Sequence, residues 1–274
     1  LQAQYADEFD FPLVKGRRNF ACLNDNLEST CDMGTCKTTP TSSNFFCPYG
    51  VAKNPTLDAE LAFEDSYGGT VFYQSGQHCH YWNQKANAVN SPITLMNYDY
   101  GILELNYVKH FGTRSLLILD EAHNIENKLM KTMEVNLFNY RLEKDINKVI
   151  SEETLKDGEL EDWIMEIAAI TESYEDIDIK DISKNKADRV RSTIGRLKSL
   201  KNNLEKEPKN WVIDADDTGV TFKPLKVHHY ATNNLLKYGD VVIFMSATIL
   251  SHKMFSKWLG LNPNEVYHIK VDSP

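Results

Sequence analysis

Four apolar residues, Leu116 to Leu119, run straight into the adjacent carboxylates Asp120 and Glu121, and this junction limits the folds open to the chain. An uninterrupted apolar run this short lacks the alternation of a half-exposed strand. It predicts a strand buried on both faces, as in a parallel α/β sheet. In such sheets ligands collect beyond the carboxyl ends of the strands, which is where Asp120 and Glu121 emerge. A second stretch repeats the pattern, with Val241 to Met245 forming an apolar run that ends in Ser246, Ala247 and Thr248. The expectation is an α/β fold with carboxylates at one strand tip and hydroxyls at another.

An Asp at the tip of a buried strand is the arrangement that holds Mg²⁺ on a nucleotide, and a Glu after it can orient and deprotonate an attacking water. Each piece taken alone has a plainer reading. Asp120 or Asn124 could cap the helix after the first strand, and Ser246 or Thr248 the helix after the second. As a unit, LLILDEAH favours the nucleotide site. No stretch supplies a phosphate loop. In MGTCKTT, 33–39, Cys36 stands where Gly should precede the Lys, and Pro40 follows closely, so this stretch goes with the cysteines.

All five cysteines, Cys22, Cys31, Cys36, Cys47 and Cys79, lie in one segment, and none follows position 79. An odd count without an export signal argues against a disulfide framework. Metal explains the confinement better. Zinc ribbons repeat a C-x2-C pair, which is missing here, whereas four thiolates at long irregular spacings suit an iron–sulfur cluster. His78 and His80 flank Cys79 and keep a mixed Cys/His zinc site open. Loop-like surroundings suggest that metal supplies stability which the segment's small core lacks.

At 274 residues the chain can hold one large domain or two to three small ones, and its 42% hydrophobic content is enough for a core. Its apolar runs are too short to cross a membrane, and nothing resembles a secretion signal, so an intracellular (cytoplasmic) protein is expected. It begins at Leu1 and stops at VDSP, which reads as a piece of a longer protein. The net charge of −9 argues against a simple basic nucleic-acid-binding domain, yet the charge is uneven. Residues 152–181 are acidic. Residues 184–201 carry Arg189, Arg191, Arg196 and Lys198, either as the solvated face of a helix or as phosphate contacts. Leu137, Tyr140, Leu142, Ile146 and Ile150 fall at helical spacings, and 211–227 reads as a hairpin.

In this order the features resemble the iron–sulfur superfamily 2 DNA helicases of the XPD and DinG type. LQAQY looks like the tail of motif Ia, and KGRRNFAC like the approach to the first cluster cysteine. CHYWNQKANAVNSPITLMNYDYGIL looks like the last cluster cysteine followed by the return to the motor. DEAHNIE resembles motif II, MSATIL motif III, and IKVDSP the approach to a second motor domain. The resemblance implies a RecA-like parallel-sheet motor domain, 1–16 with 86–123 and 211–262, interrupted by an iron–sulfur domain, 17–85, and a helical arch insert, 124–210. The connection to the second motor domain would start at 263–274.

The same resemblance implies an ATP-dependent 5′–3′ helicase acting on single-stranded DNA and duplex junctions, using Mg-ATP and a [4Fe-4S] cluster. Asp120 would hold Mg²⁺, Glu121 would activate water, and His123 would link the nucleotide to the motif III residues Ser246, Ala247 and Thr248. Cys22, Cys36, Cys47 and Cys79 would hold the cluster, with Cys31 as the alternative to Cys36. Arg17, Arg18, Tyr81, Trp82, Arg189 and Arg191 would line the DNA path. With neither a phosphate loop nor the second motor domain's arginine, the chain alone is expected to be inactive. A metal-stabilised binding module without motor activity and a DinG-like helicase with nuclease activity are the alternatives.

Overall fold

The computed structural model describes residues 11–54, 58–249 and 251–271. LQAQY, Leu250 of MSATIL and the last three residues of IKVDSP lie outside them. The described chain begins with β1 (Leu13–Val14), β2 (Val51–Ala52), β3 (Leu61–Glu64), β4 (Thr70–Tyr73), α1 (His80–Asn90) and β5 (Leu95–Met96). Next come α2 (Tyr98–Leu103), a π-helical turn (Glu104–Val108) and β6 (Arg114–Leu119). Then follow α3 (Ile125–Met133), β7 (Val135–Phe138), α4 (Asn139–Ile146), α5 (Glu152–Asp157), α6 (Leu160–Glu175) and α7 (Lys184–Lys206). The hairpin β8 (Trp211–Asp216) and β9 (Gly219–Pro224) precedes α8 (His228–Asn234), β10 (Gly239–Phe244) and α9 (His252–Trp258). None of the described helices is long and apolar enough to cross a membrane.

The fold is mixed α/β and divides into two compact units. The first takes the described residues up to Leu119 with Asp181–Asn185 and Asn233–Ile243. Here β1 pairs parallel with β5, and β6 is hydrogen-bonded to β10. A separate antiparallel sheet, ordered β2-β4-β3, rises from the cysteine segment. Val14, Ala88, Leu105 and Phe111 form one buried cluster, and Ala62, Phe63, Val71, Tyr73 and Ala86 another. Helix α1 serves both, since Ala86 and Ala88 belong to different clusters. The cysteine segment is thus part of the same compact unit as β1, β5 and β6, not a unit of its own.

The expected double burial of the strands is not what the structure shows. Leu116 and Ile118 are 47% and 53% exposed, and Val241 is 58% exposed. Strand β6 has one described neighbour, β10, and a strand loses both faces to the core only where layers cover both. Alternation is present in space although the sequence hides it, with Leu119 inward and Ile118 outward.

The second unit spans Asp120–Lys180, Lys186–Thr232 and the described residues from Phe244 onward. Its antiparallel sheet is ordered β7-β9-β8, with Leu137 opposite Val220 and Ile213 opposite Phe222. Gly219 lies so near the Leu137 carbonyl that a β-carbon would collide with it, which keeps β7 and β9 in close register. The inner face holds Val135, Leu137, Val220 and Phe222, and Trp163 from α6 meets Phe222 edge-on at 5.6 Å. Helix α7 turns Ala187, Val190, Leu197, Leu200 and Leu204 inward, so its basic residues form the outer face. Three expectations change. The hairpin at 211–224, expected with the motor sheet, pairs with β7, which lies in the stretch expected as the arch insert. Leu137, read at helical spacing, lies in strand β7, and Tyr140 is 61% exposed while Leu142 is buried. Spacing located the hairpin and α4, but a hairpin's third strand is a long-range choice that spacing does not encode.

Candidate nucleotide and cysteine sites

Strand β6 ends at Leu119 and delivers Asp120 and Glu121 to solvent. Glu121 adopts φ 48°, ψ 43°, a left-handed conformation uncommon for a residue with a β-carbon and costing about 1–3 kcal/mol. Local bonds hold it there. The Glu121 amide donates to Asp120 Oδ1 at 2.9 Å, and Asn124 donates to the Glu121 carbonyl at 2.9 Å. The chain then makes one tight turn, Ala122–Asn124, before α3.

That turn carries the segment to the end of β10. The Ala122 amide donates to the Met245 carbonyl at 2.9 Å, and His123 Nδ1 lies 2.9 Å from Ser246 Oγ. The same ring nitrogen is 3.3 Å from Glu121 Oε2. Beyond Ala247, Ser246 Oγ accepts from the Thr248 amide at 3.2 Å and lies 3.3 Å from Thr248 Oγ1. Carboxylate, imidazole and two hydroxyls therefore form one continuous polar chain. The plainer cap readings of three of these residues are not what the structure contains. Asn124 makes no side-chain cap bond, and α9 is capped by Ser251, not by Ser246 or Thr248.

The cysteine segment gathers its thiols. All five cysteines are free and line one solvent-connected depression together with Arg17, Tyr49 and Trp82. Cys31 Sγ lies 3.9 Å from Cys79 Sγ, and Arg17 Nη1 donates to Cys31 Sγ at 3.4 Å. A hydrogen bond from Cys47 holds the Cys36 thiol down at about 6, and the same bond pushes Cys47 up. Cys31 holds Cys79 at about 6 in the same way and is itself pushed up. Burial opposes the Arg17 charge, but Tyr81 and Cys31 more than offset it and raise its pKa. Gly34 presses on Cys22, where a β-carbon would stand 2.5 Å from the sulfur. Among the described residues no three His, Cys, Asp or Glu side chains are drawn into metal-holding geometry. The donor set fits a thiolate-bound metal in kind, since the depression gathers five soft sulfur atoms and no carboxylate or imidazole. His78 is stacked on Tyr73 at 3.6 Å and His80 is exposed, so neither imidazole lines the depression.

The basic and aromatic candidates separate. Tyr81 is 6% exposed, and the Arg17 guanidinium lies 4.2 Å from its ring centre and 5.0 Å from that of Trp82. Lys85 approaches the same two rings at 5.9 and 5.5 Å. Tyr81 therefore offers no free face to a base, because burial and the Arg17 guanidinium already occupy it. Trp82 is only half-buried. Arg18 is exposed and 3.6 Å from Asp32. On α7, Arg189 and Arg191 are exposed, with Arg191 3.4 Å from Asp188. Arg196 donates to the Glu134 carbonyl, and Lys198 pairs with Glu175 at 2.6 Å. No local pattern announces the buried pair Lys85–Glu104, 2.7 Å apart, because a Lys in an amphipathic helix ordinarily points outward.

The DEAD_2 family model matches residues 13–142, 130 of the 274 residues. The match takes in the cysteine segment, the return through α1 and α2, and the DEAH turn. A solved structure described as an XPD helicase is 16% identical, with a TM-score of 0.44, over 68% of this chain and 37% of its own. The chain therefore spans well under half the length of that protein, and a likeness this slight does not define the fold. No curated protein matches the chain.

Proposed function

We propose that the chain is part of the motor of an ATP-dependent DNA helicase that moves 5′ to 3′ on single strands and parts duplex junctions. The observation that carries this reading is the 2.9 Å contact of His123 with Ser246, which joins the turn after β6 to the turn after β10. A motor needs such a joint, because a change at the nucleotide must reach a second element. The similarity to the DEAD_2 family over residues 13–142, which takes in Asp120, Glu121 and His123, supports it.

Asp120 is the residue to hold Mg²⁺ on ATP, a metal that would neutralise charge developing on the phosphates. Glu121 stands next to it with its carboxylate largely in solvent and one oxygen beside His123, and would accept a proton from an attacking water. His123 and Ser246 then respond to the occupancy of that carboxylate's surroundings. At the cysteine site, thiolates from among Cys22, Cys31, Cys36, Cys47 and Cys79 would hold a [4Fe-4S] cluster that ties the loops together. Arg17, Arg18, Trp82, Arg189 and Arg191 are the candidates for contact with DNA.

The test is strand displacement by the full-length protein on duplexes with a 5′ or a 3′ single-stranded tail. Release from the 5′-tailed substrate alone, dependent on ATP, is expected. Equal release without ATP, or none from either, would favour a binding module without a motor.

A further inference from the structure

Strand β7 ends at Phe138 and α4 begins at Asn139, so a sharp corner brings Phe138, Tyr140 and Arg141 together. The Phe138 and Tyr140 rings stack with centres 5.9 Å apart and planes 22° from parallel. The Arg141 guanidinium lies 5.9 Å from the Phe138 ring centre and 5.5 Å from that of Tyr140, and its Nε donates to the Tyr140 hydroxyl at 2.7 Å. The corner is fixed from below. The Asn139 amide donates to the Thr218 carbonyl, its side chain accepts from Ile150, and Leu142 alone carries this end of α4 into the core.

What stands above is open to solvent. Tyr140 is 61% exposed, and Arg141 is exposed beside it. Lys144, three residues on, shares the Arg141 face of the helix. Neither cation has a carboxylate within ion-pair distance among the described residues, whereas Arg191, Lys198 and Lys223 of the same unit are all paired. Flat rings with an unpaired planar cation match a ligand that offers flat rings and anions in alternation. That is single-stranded nucleic acid, whose bases stack on aromatic rings without regard to sequence and whose phosphates take Arg and Lys.

We propose that the Phe138–Tyr140–Arg141 corner is a binding site for single-stranded nucleic acid. Tyr140 stacks a base, Phe138 backs that ring, and Arg141 with Lys144 meets the neighbouring phosphates. The inference rests on the helicase reading for its ligand class, and it places the aromatic contact here and not at the buried Tyr81.

The test is fluorescence anisotropy of the full-length protein with a labelled oligothymidylate and with an abasic oligonucleotide of equal length, each at two salt concentrations. The wild-type protein should bind the base-bearing strand more tightly. Tyr140→Ala should weaken oligothymidylate binding at least about fivefold, leaving the salt slope and the abasic affinity unchanged. Arg141→Gln should reduce the salt slope for both strands by about 0.7. Far-ultraviolet circular dichroism confirms that these surface variants keep their fold. Unchanged affinity in Tyr140→Ala, or equal loss on both strands, overturns the proposal while leaving the helicase reading in place. Displacement of the labelled oligothymidylate by polyglutamate at a lower concentration than by unlabelled oligothymidylate of equal charge also overturns it, in favour of an acidic peptide. A wild-type protein that binds neither strand overturns the helicase reading as well.

Discussion

His123 offers one ring nitrogen to two neighbours, Ser246 Oγ at 2.9 Å and Glu121 Oε2 at 3.3 Å. A neutral imidazole nitrogen either donates or accepts, so it cannot donate fully to both at once. This makes His123 a choice point between the carboxylate and the hydroxyl chain. In the full-length protein, Ser246→Ala and His123→Ala should each leave ATP binding intact while reducing the stimulation of turnover by single-stranded DNA about tenfold. The double variant should lose little more than either single one, because contacting residues are not additive. Steady-state turnover with and without oligonucleotide measures this, and fully additive losses would show that the two act separately. The partners were legible in the sequence because each follows an apolar run. The left-handed Glu121 was not, since nothing but Gly or Asn ordinarily advertises a positive φ.

Among the elements, α1 and the π-helical turn after α2 are pinned by Lys85 and Glu104, exposed by only 1% and 2%. Glu104 also lies 3.2 Å from His110 Nδ1, just ahead of β6. Removing one charge would strand the other, so Glu104→Gln should destabilise the protein by about 3–5 kcal/mol in denaturant unfolding. Lys85→Met with Glu104→Leu should recover most of that loss, because two matched apolar groups leave no buried charge. The pH dependence has a definite sign. Burial pushes the Glu104 carboxyl up, but His110 and Lys85 pull it further down, so its folded pKa lies below the ordinary carboxylate range. Its contribution is complete above the unfolded value of about 4.3 and is lost as pH falls through the lower folded value. Midpoints measured across that acidic window should fall more steeply for the wild-type protein than for Glu104→Gln, and parallel slopes would contradict the pairing. At this scale the sequence located the elements but not their surroundings. Leu116–Leu119 and Val241–Met245 do supply strands, yet Ile118 and Val241 lie open, because burial depends on layers that no local pattern reports.

For the whole molecule, five thiols line one depression, and the proposed cluster would take four of them. Cys31 Sγ lies 3.9 Å from Cys79 Sγ and accepts from Arg17, so the geometry does not set Cys31 aside in favour of Cys36 as the resemblance had done. Anaerobically purified protein should be brown, with about four irons per chain. Cys36→Ser, Cys47→Ser and Cys79→Ser should each remove the colour, and of Cys22→Ser and Cys31→Ser only one should. Stoichiometric zinc without iron, or colour lost in all five variants, would contradict this. The gathering of the cysteines was legible from their confinement to one segment, whereas the ligand set was not, because irregular loops bring sulfurs together without any period to read. The same limit hid the partner of the β8–β9 hairpin. The central claim is that the turn at Asp120 and Glu121 is the hydrolytic centre of a motor, and ATP turnover by the full-length Glu121→Gln protein tests it most directly. That variant keeps the shape of the site and removes the base, so ATP should still bind while turnover falls by at least about a hundredfold. Hydrolysis at the wild-type rate would contradict the account.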